Sequence, residues 1–223
     1  MLLRFENEAA WLEARKRDVT STDVAAMLGL SPYKSRLSLW MEKAGVIEPD
    51  DLDDNPFALW GRRLQRPVAI GICEDEGWGA QDLTGLYLRD PESRLGASMD
   101  AKASGGDRGN ILLEIKTTGY FGEDSGWFKD VAPIHIEFQI QTQLHLAIKD
   151  GQDIQCGCIG ALSGRKETRL YFREHDAALG AMIEEEAKKF WRSIELKEPP
   201  APDYAVDGDL IRRLQGPVDL GGT

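Results

Sequence analysis

Residues 111–119 read ILLEIKTTG. A strand buried in an α/β sheet is usually a continuous apolar run, but this one breaks its run with a glutamate and a lysine two residues apart. Side chains at i and i+2 of a strand share a face, so Glu114 and Lys116 stand side by side. The pair is either a salt bridge at a strand edge, contributing ~0–1 kcal/mol, or half of a metal-dependent active site. Both readings require a strand with one apolar face and one charged face, and the rest of the chain has to build around it.

Asp100 closes the stretch GASMD, fourteen residues before Glu114 on the preceding predicted strand. A tight turn at SGGDRGN would make the two strands antiparallel neighbours and bring Asp100 near Glu114. Two adjacent carboxylates repel unless a cation sits between them. Magnesium favours oxygen ligands and takes few carboxylates, leaving positions for water and phosphate. A lysine beside such a metal holds the attacking water and offsets charge on the transition state. Asp followed by Glu-x-Lys is thus a coherent hydrolytic site for phosphodiesters, though the spacing alone is short and degenerate. The following helix adds three amides in QIQTQLHLA. Gln139 and Gln143 share a face at i, i+4, while Gln141 lies well round the helix from both. Inward amides on an apolar helix need partners, and an active-site water or a DNA phosphate would serve.

Around these motifs the pattern predicts an α/β chain with helices about a mostly antiparallel or mixed sheet. A short helix is expected over 5–17 with Trp11 and Leu12 inward. TSTDVAAMLGL offers Thr or Ser as an N-cap and Gly29 as a stop. SPYKS is a turn, and RLSLWMEKAG an amphipathic helix ended by Gly45. An acidic loop, VIEPDDLDDNP, leads into the longer helix PFALWGRRLQRPVAIGICEDEG, which Pro67 is expected to kink or divide. QDLTGLYLRD, RLGASMDAKA and NILLEIKTT read as a strand meander, and GYFGEDSGWFKDVAP as an irregular loop. The helix in HIEFQIQTQLHLAIKDG turns Phe138, Ile140, Leu144, Ala147 and Ile148 inward. QCGCIGALSG and ETRLYFREH form a hairpin, followed by a helix over 176–195. The Pro- and Gly-rich tail after residue 199 is expected to be loosely held.

Composition narrows the class without naming the partner. The 223 residues are 42% hydrophobic, which suits one globular domain. No apolar run approaches the ~20 residues that cross a bilayer, and the N-terminal segment is charged from Arg4 onward, unlike a signal peptide. A soluble, cytoplasmic protein is therefore expected. Cys73 stands alone, and Cys156 and Cys158 share one strand face, so none has zinc-ligand or disulfide spacing; buried thiols are the expectation. The net charge of −11 is unusual for a nucleic-acid binder, which commonly shows a basic face. It is compatible with a carboxylate-rich site, and basic clusters do occur at Arg15-Lys16-Arg17 and at Arg62, Arg63 and Arg66.

Five motifs in order resemble the YqaJ-type viral recombinase family, which includes phage lambda exonuclease, within the PD-(D/E)XK nuclease superfamily. They are WLEARKRDVTSTDVAAMLGLSPYKS, ALWGRRLQRPVA, GASMDA, LLEIKT and QIQTQLHLA, spanning roughly residues 8–150. The resemblance implies a restriction-endonuclease-like core, a central mixed sheet flanked by helices. With the composition and the pattern, the chain is expected to be a single nuclease domain over 1–223: a mainly helical part that the resemblance makes DNA-end-binding (1–80), the catalytic sheet and helix (81–175), a C-terminal helix (176–198) and a tail (199–223).

By that resemblance Asp100 and Glu114 bind catalytic Mg²⁺, with Mn²⁺ as a substitute, and the backbone carbonyl of Ile115 completes the shell. Lys116 positions the hydrolytic water, and Gln141 completes the motif on the next helix. Met99 stands where the family's name-giving motif has proline. Gln65 replaces a glutamate that contributes to the metal site in lambda-type enzymes, so it brings no charge and reaches the metal through water. Arg15, Thr22 and Ser98 take the positions that grip the 5′-phosphate, as a guanidinium fork with added hydroxyls does; Thr22 also suits a helix N-cap.

The implied activity is a 5′→3′ exonuclease of linear double-stranded DNA in phage or prophage recombination. It would release mononucleotides and leave a 3′ tail for a single-strand annealing protein. Lambda-type enzymes are homotrimeric rings, and an acidic exterior with a basic channel would reconcile the net charge with DNA. Three readings compete: an endonuclease on the same fold, a CRISPR-associated iron–sulfur nuclease, and a non-catalytic DNA-end-binding protein. The iron–sulfur type uses four cysteines, and only three are present.

Overall fold

The computed structural model describes residues 1–49 and 55–215. It contains two sheets. The smaller one has the order β1-β4-β5-β2, from Leu2–Arg4 (β1), Leu86–Asp90 (β4), Leu95–Ser98 (β5) and Val19–Thr20 (β2). The larger has the order β3-β6-β7-β8-β9, from Gly79–Asp82, Ala101–Ser104, Asn110–Thr118, Cys156–Ser163 and Thr168–Arg173. Its pairs are antiparallel except β7 with β8, which are parallel. Parallel neighbours need a crossover, supplied here by the helix α5 that follows β7. The helices are α1 (Glu8–Lys16), α2 (Val24–Met27), α3 (Arg36–Lys43), α4 (Pro56–Glu76), α5 (Ile134–Lys149), α6 (Ala177–Glu195) and α7 (Gly208–Gln215).

The alternation in β7 sets the layers. Ile111, Leu113 and Ile115 pack with Val68, Ala69, Ile72 and Cys73 of α4 and with Cys156 and Cys158. Leu112 faces the other way, into a core with Ile140 and Leu144 of α5, Ile159 of β8 and Phe190 of α6. That second core also takes Val19, Leu88 and Leu95 from the smaller sheet, so it joins the two sheets. Two glycines in β8 let the helices approach. A Cβ at Gly157 would lie 2.8 Å from Ile140 Cγ1, and one at Gly160 would lie 2.7 Å from Ile72 Cδ1. The three cysteines are buried and unbridged, as expected.

The segment RLGASMDAKA is two strands in different sheets, because the chain crosses between sheets at Met99 and Asp100. The first helix starts at Glu8, capped by Asn7 after an unforeseen edge strand, and its Leu12 is exposed. Asp23, rather than a Thr or Ser hydroxyl, occupies the α2 cap position; its carboxylate accepts from the Thr20 amide and hydroxyl. Pro67 leaves α4 undivided: the turns after it are anchored by buried Val68, Ala69 and Ile72. Ile148 is exposed at the end of α5. The tail docks rather than drifting. Asp207 is buried and accepts hydrogen bonds from Ser35 and from the Asp203 amide (2.7 Å), just ahead of α7. Residues 50–54 of the predicted acidic loop and 216–223 of the tail lie outside the described residues.

Candidate active site

Asp100 reaches β7 because β6 pairs Ala101 with Leu113 in antiparallel register, which sets Asp100 opposite Glu114. Its Oδ2 accepts the Ile115 amide at 2.8 Å, and its Oδ1 accepts from the Gln65 amide on α4. Glu114 is 2% exposed and held by three donors. Lys116 Nζ (2.5 Å) and Gln139 Nε2 (2.6 Å) reach Oε1, and Gln143 Nε2 (2.7 Å) reaches Oε2. The helical period makes this possible, since 139 and 143 sit one above the other on the face of α5 turned to β7.

The electrostatics are those of a site short of positive charge. Burial, reinforced by the negative charge of Glu114, pushes the Asp100 carboxyl up to about 8, against the pull of Lys116 and the Ile115 amide. Burial works against the Lys116 ammonium, but Glu114 and Asp100 outweigh it and raise its pKa. Two carboxylates thus share one ammonium. Burial and the Lys116 charge in turn lower the pKa of His135, whose ring meets Tyr33 edge-on at 5.3 Å. Gln143 Oε1 is buried without a hydrogen-bond partner. Two carboxylates with a single ammonium between them and an orphaned amide oxygen are what a hard cation with bound water satisfies, so the residues fit a divalent metal. No cluster of three or more metal-ligating acids, histidines or cysteines occurs among the described residues; the oxygens gathered here are the Asp100 and Glu114 carboxylates and the Gln143 amide. A cleft of about 100 Å³ opens beside it, lined by Gln65, Arg66, Asp82, Thr84 and Asp100.

Gln141 is placed elsewhere. Its Nε2 donates to Glu174 O (2.9 Å) and its Oε1 accepts from the Asp176 amide (3.0 Å), tying α5 to the start of α6. Two residues along a helix is about 200°, which turns it away from β7. Gln139 and Gln143 occupy the place expected of it. Their i, i+4 spacing and inward setting were visible in the sequence; Glu114 as their shared partner was not.

Arg15 and Ser98 are brought together. Ser98 Oγ accepts from Trp11 Nε1 (3.1 Å) and Arg15 Nη1 (3.4 Å), and the Arg15 guanidinium lies over the Trp11 ring at 4.5 Å. Thr22 is exposed in the next loop, its hydroxyl 2.9 Å from that of Thr20. The parallel pairing of Thr20 with Gly96 carries the chain toward Ser98. Lys43 braces the group, donating to Arg15 O (3.1 Å) and pairing with Asp23 (2.9 Å).

A mixed sheet whose parallel pair is bridged by a helix, with Glu-x-Lys on its central strand and Asp100 brought beside it from the residue before β6, is the architecture of the PD-(D/E)XK class of fold. The model of the YqaJ-like viral recombinase domain matches residues 10–150, and the chain belongs to that family. A curated relative, the uncharacterized protein YqaJ of Bacillus subtilis, is 25% identical over 182 residues, covering 81% of this chain and 54% of that protein. The chain therefore spans about half the length of that relative. Among solved structures, an alkaline exonuclease from Laribacter hongkongensis superposes with a TM-score of 0.60 at 20% identity, covering 93% of this chain and 98% of that one. The same enzyme solved with dAMP gives 0.60 at 19% identity, covering 91% and 98%. A phage-related exonuclease from Haemophilus somnus gives 0.56 at 11% identity, covering 81% and 96%. At these identities the likeness is one of fold. No helix among the described residues is long and apolar enough to cross a membrane.

Proposed function

We propose that the protein is a Mg²⁺-dependent 5′→3′ exonuclease of linear double-stranded DNA. It serves phage or prophage homologous recombination, releases mononucleotides and leaves a 3′ single-stranded tail for an annealing protein. The supporting observation is the spacing of two sites. Ser98, bonded to Arg15, stands two residues before Asp100, which bonds to the backbone of the Glu114–Lys116 strand. A group that grips a terminal phosphate thus adjoins a group that can cut the next linkage. The similar folds of exonucleases, one solved with dAMP, support the same reading.

Asp100, Glu114 and the Ile115 carbonyl, with Gln65 acting through water, would hold Mg²⁺ (or Mn²⁺), which when bound would supply positive charge to the phosphodiester in its transition state. The chain's own groups do the rest. Lys116 orients a water by hydrogen bonding and offsets charge on the phosphate oxygens. Gln139 and Gln143 fix the Glu114 carboxylate. Arg15 forks onto the 5′-phosphate, with Ser98 and Thr22 adding hydroxyl donors. A homotrimeric ring threaded by DNA, in the host cytoplasm, completes the proposal.

End-labelled linear duplex with purified protein tests it. Nucleotides should appear from the 5′ end with Mg²⁺, stop in EDTA, and fail to appear from a covalently closed circle. Release without Mg²⁺, or undiminished in Asp100→Ala, overturns the reading. One observation favours a non-catalytic end-binding protein instead: Gln65 spends its amide on Asp100 where lambda-type enzymes carry an acid. Tight binding of 5′-phosphorylated ends without product, at every Mg²⁺ and Mn²⁺ concentration, would select it.

A further inference from the structure

We propose that Gln143 is a positioning residue that couples the grip on the DNA end to the metal-holding carboxylate. The inference rests on the reading above, that Arg15 and Ser98 hold a 5′-phosphate and that Asp100 and Glu114 hold the metal. Gln143 is fully buried. Its one Nε2 donates both of its hydrogens, to Ser98 O at 2.9 Å and to Glu114 Oε2 at 2.7 Å. The residue whose carbonyl it holds is the residue whose hydroxyl accepts from Arg15 and Trp11. A continuous path therefore runs from the Arg15 guanidinium through Ser98 Oγ, the Ser98 backbone and the Gln143 amide to Glu114 Oε2.

Each link restricts the next. Glu114 Oε1 accepts from both Lys116 and Gln139, so Oε2, which accepts from Gln143, is the oxygen with room to bind a cation. The planar amide fixes the angle between its two Nε2 hydrogens, so a shift of the Ser98 carbonyl re-aims the hydrogen on Oε2. A phosphate on Arg15 requires the guanidinium to divide its donors between phosphate and Ser98 Oγ, while the Ser98 hydroxyl, which accepts from Arg15 and Trp11, has its own hydrogen to donate to the phosphate. End occupancy and the pose of Glu114 are then linked, and linkage is reciprocal: a phosphorylated end tightens metal binding, and metal tightens the hold on a phosphorylated end. Cleavage would be favoured where both are seated.

The test measures binding without turnover. Mn²⁺ affinity of the full chain is titrated alone, with a blunt duplex carrying 5′-phosphates and non-hydrolysable linkages at its ends, and with the same duplex dephosphorylated. The wild type is expected to bind Mn²⁺ at least about 5-fold more tightly with the phosphorylated than with the dephosphorylated duplex, the lower end of ordinary coupling. Gln143→Leu should abolish that difference yet keep its preference for phosphorylated ends in EDTA. Gln143→Asn, a methylene shorter, should also lose the linkage and serves if the leucine variant does not fold. The proposal is overturned if wild-type Mn²⁺ affinity ignores the phosphate while the end preference persists, or if a folded Gln143 variant retains the linkage. A wild type that shows neither metal binding nor end preference overturns the functional reading as well.

Discussion

Glu114 on β7 and Gln143 on α5, 29 residues apart in the chain, are joined by a 2.7 Å hydrogen bond across the sheet–helix boundary. With Gln139 on the same carboxylate and Lys116 beside it, the bond turns a flexible glutamate into a fixed oxygen pair.

Lys116→Met removes the one ammonium that two buried carboxylates share. Nucleotide release from linear duplex should fall by on the order of 10²-fold or more. Thermal stability in EDTA should also drop, since an unpaired buried charge remains, and Mg²⁺ should restore much of it. An unchanged rate would remove Lys116 from the chemistry.

Asp100 predicts a pH signature. Its carboxyl is raised from 3.8 to about 8 in the metal-free folded protein, so between those values the folded chain keeps a proton that the unfolded chain has released. Stability in EDTA should therefore decline as pH rises through that window, and the decline should be complete above about 8. Asp100→Asn should flatten the profile in calorimetry. Because metal and proton compete, apparent Mg²⁺ affinity should climb with pH until about 8.

Gln65→Glu sets a third carboxylate against Asp100, which Gln65 now donates to. Mg²⁺ affinity by calorimetric titration should increase about tenfold, while the melting temperature without metal should fall from like-charge repulsion. Weaker metal binding in this variant would show that the position lies outside the metal's reach.

Gln141→Leu should leave metal affinity and cleavage unchanged, because both of its bonds go to the junction before α6. Denaturant unfolding should show a loss of about 1–3 kcal/mol from the unsatisfied backbone groups. A large activity loss with intact stability would return Gln141 to the site.

Gly157→Ala brings a methyl to 2.8 Å from Ile140 Cγ1 and 3.0 Å from Leu144 Cδ1. Overpacking of this kind costs about 1–3 kcal/mol. Since α5 also carries Gln139 and Gln143, displacing it should weaken metal binding alongside stability, and a combined melting and titration series would show both.

Much of the site was legible because short-range periodicity is local physics. The i, i+2 rule placed Glu114 and Lys116 on one face, and the turn between β6 and β7 brought Asp100 across to them, as expected. The 3.6-residue period set Gln139 and Gln143 together and Gln141 apart. The same rule opposed the resemblance-based assignment of Gln141, and the structure follows the rule in where it puts that side chain. Elements that depend on what they pack against were less legible. The α4 helix runs through Pro67 because its later turns are buried against β7, and residues 200–215 dock through Asp207.

By itself, the sequence determined the strand with its charged face, the cysteines without partners, the α/β class and the order of the family motifs. Those are properties of nearest neighbours in the chain and of residue chemistry. Tertiary structure decided that RLGASMDAKA divides between two sheets at Asp100 and that Ser98 meets Arg15. It also decided that one buried amide on α5 touches both Ser98 and Glu114. Such contacts join positions tens of residues apart, and only the packing of α5 on the sheet, allowed by Gly157, sets their distance.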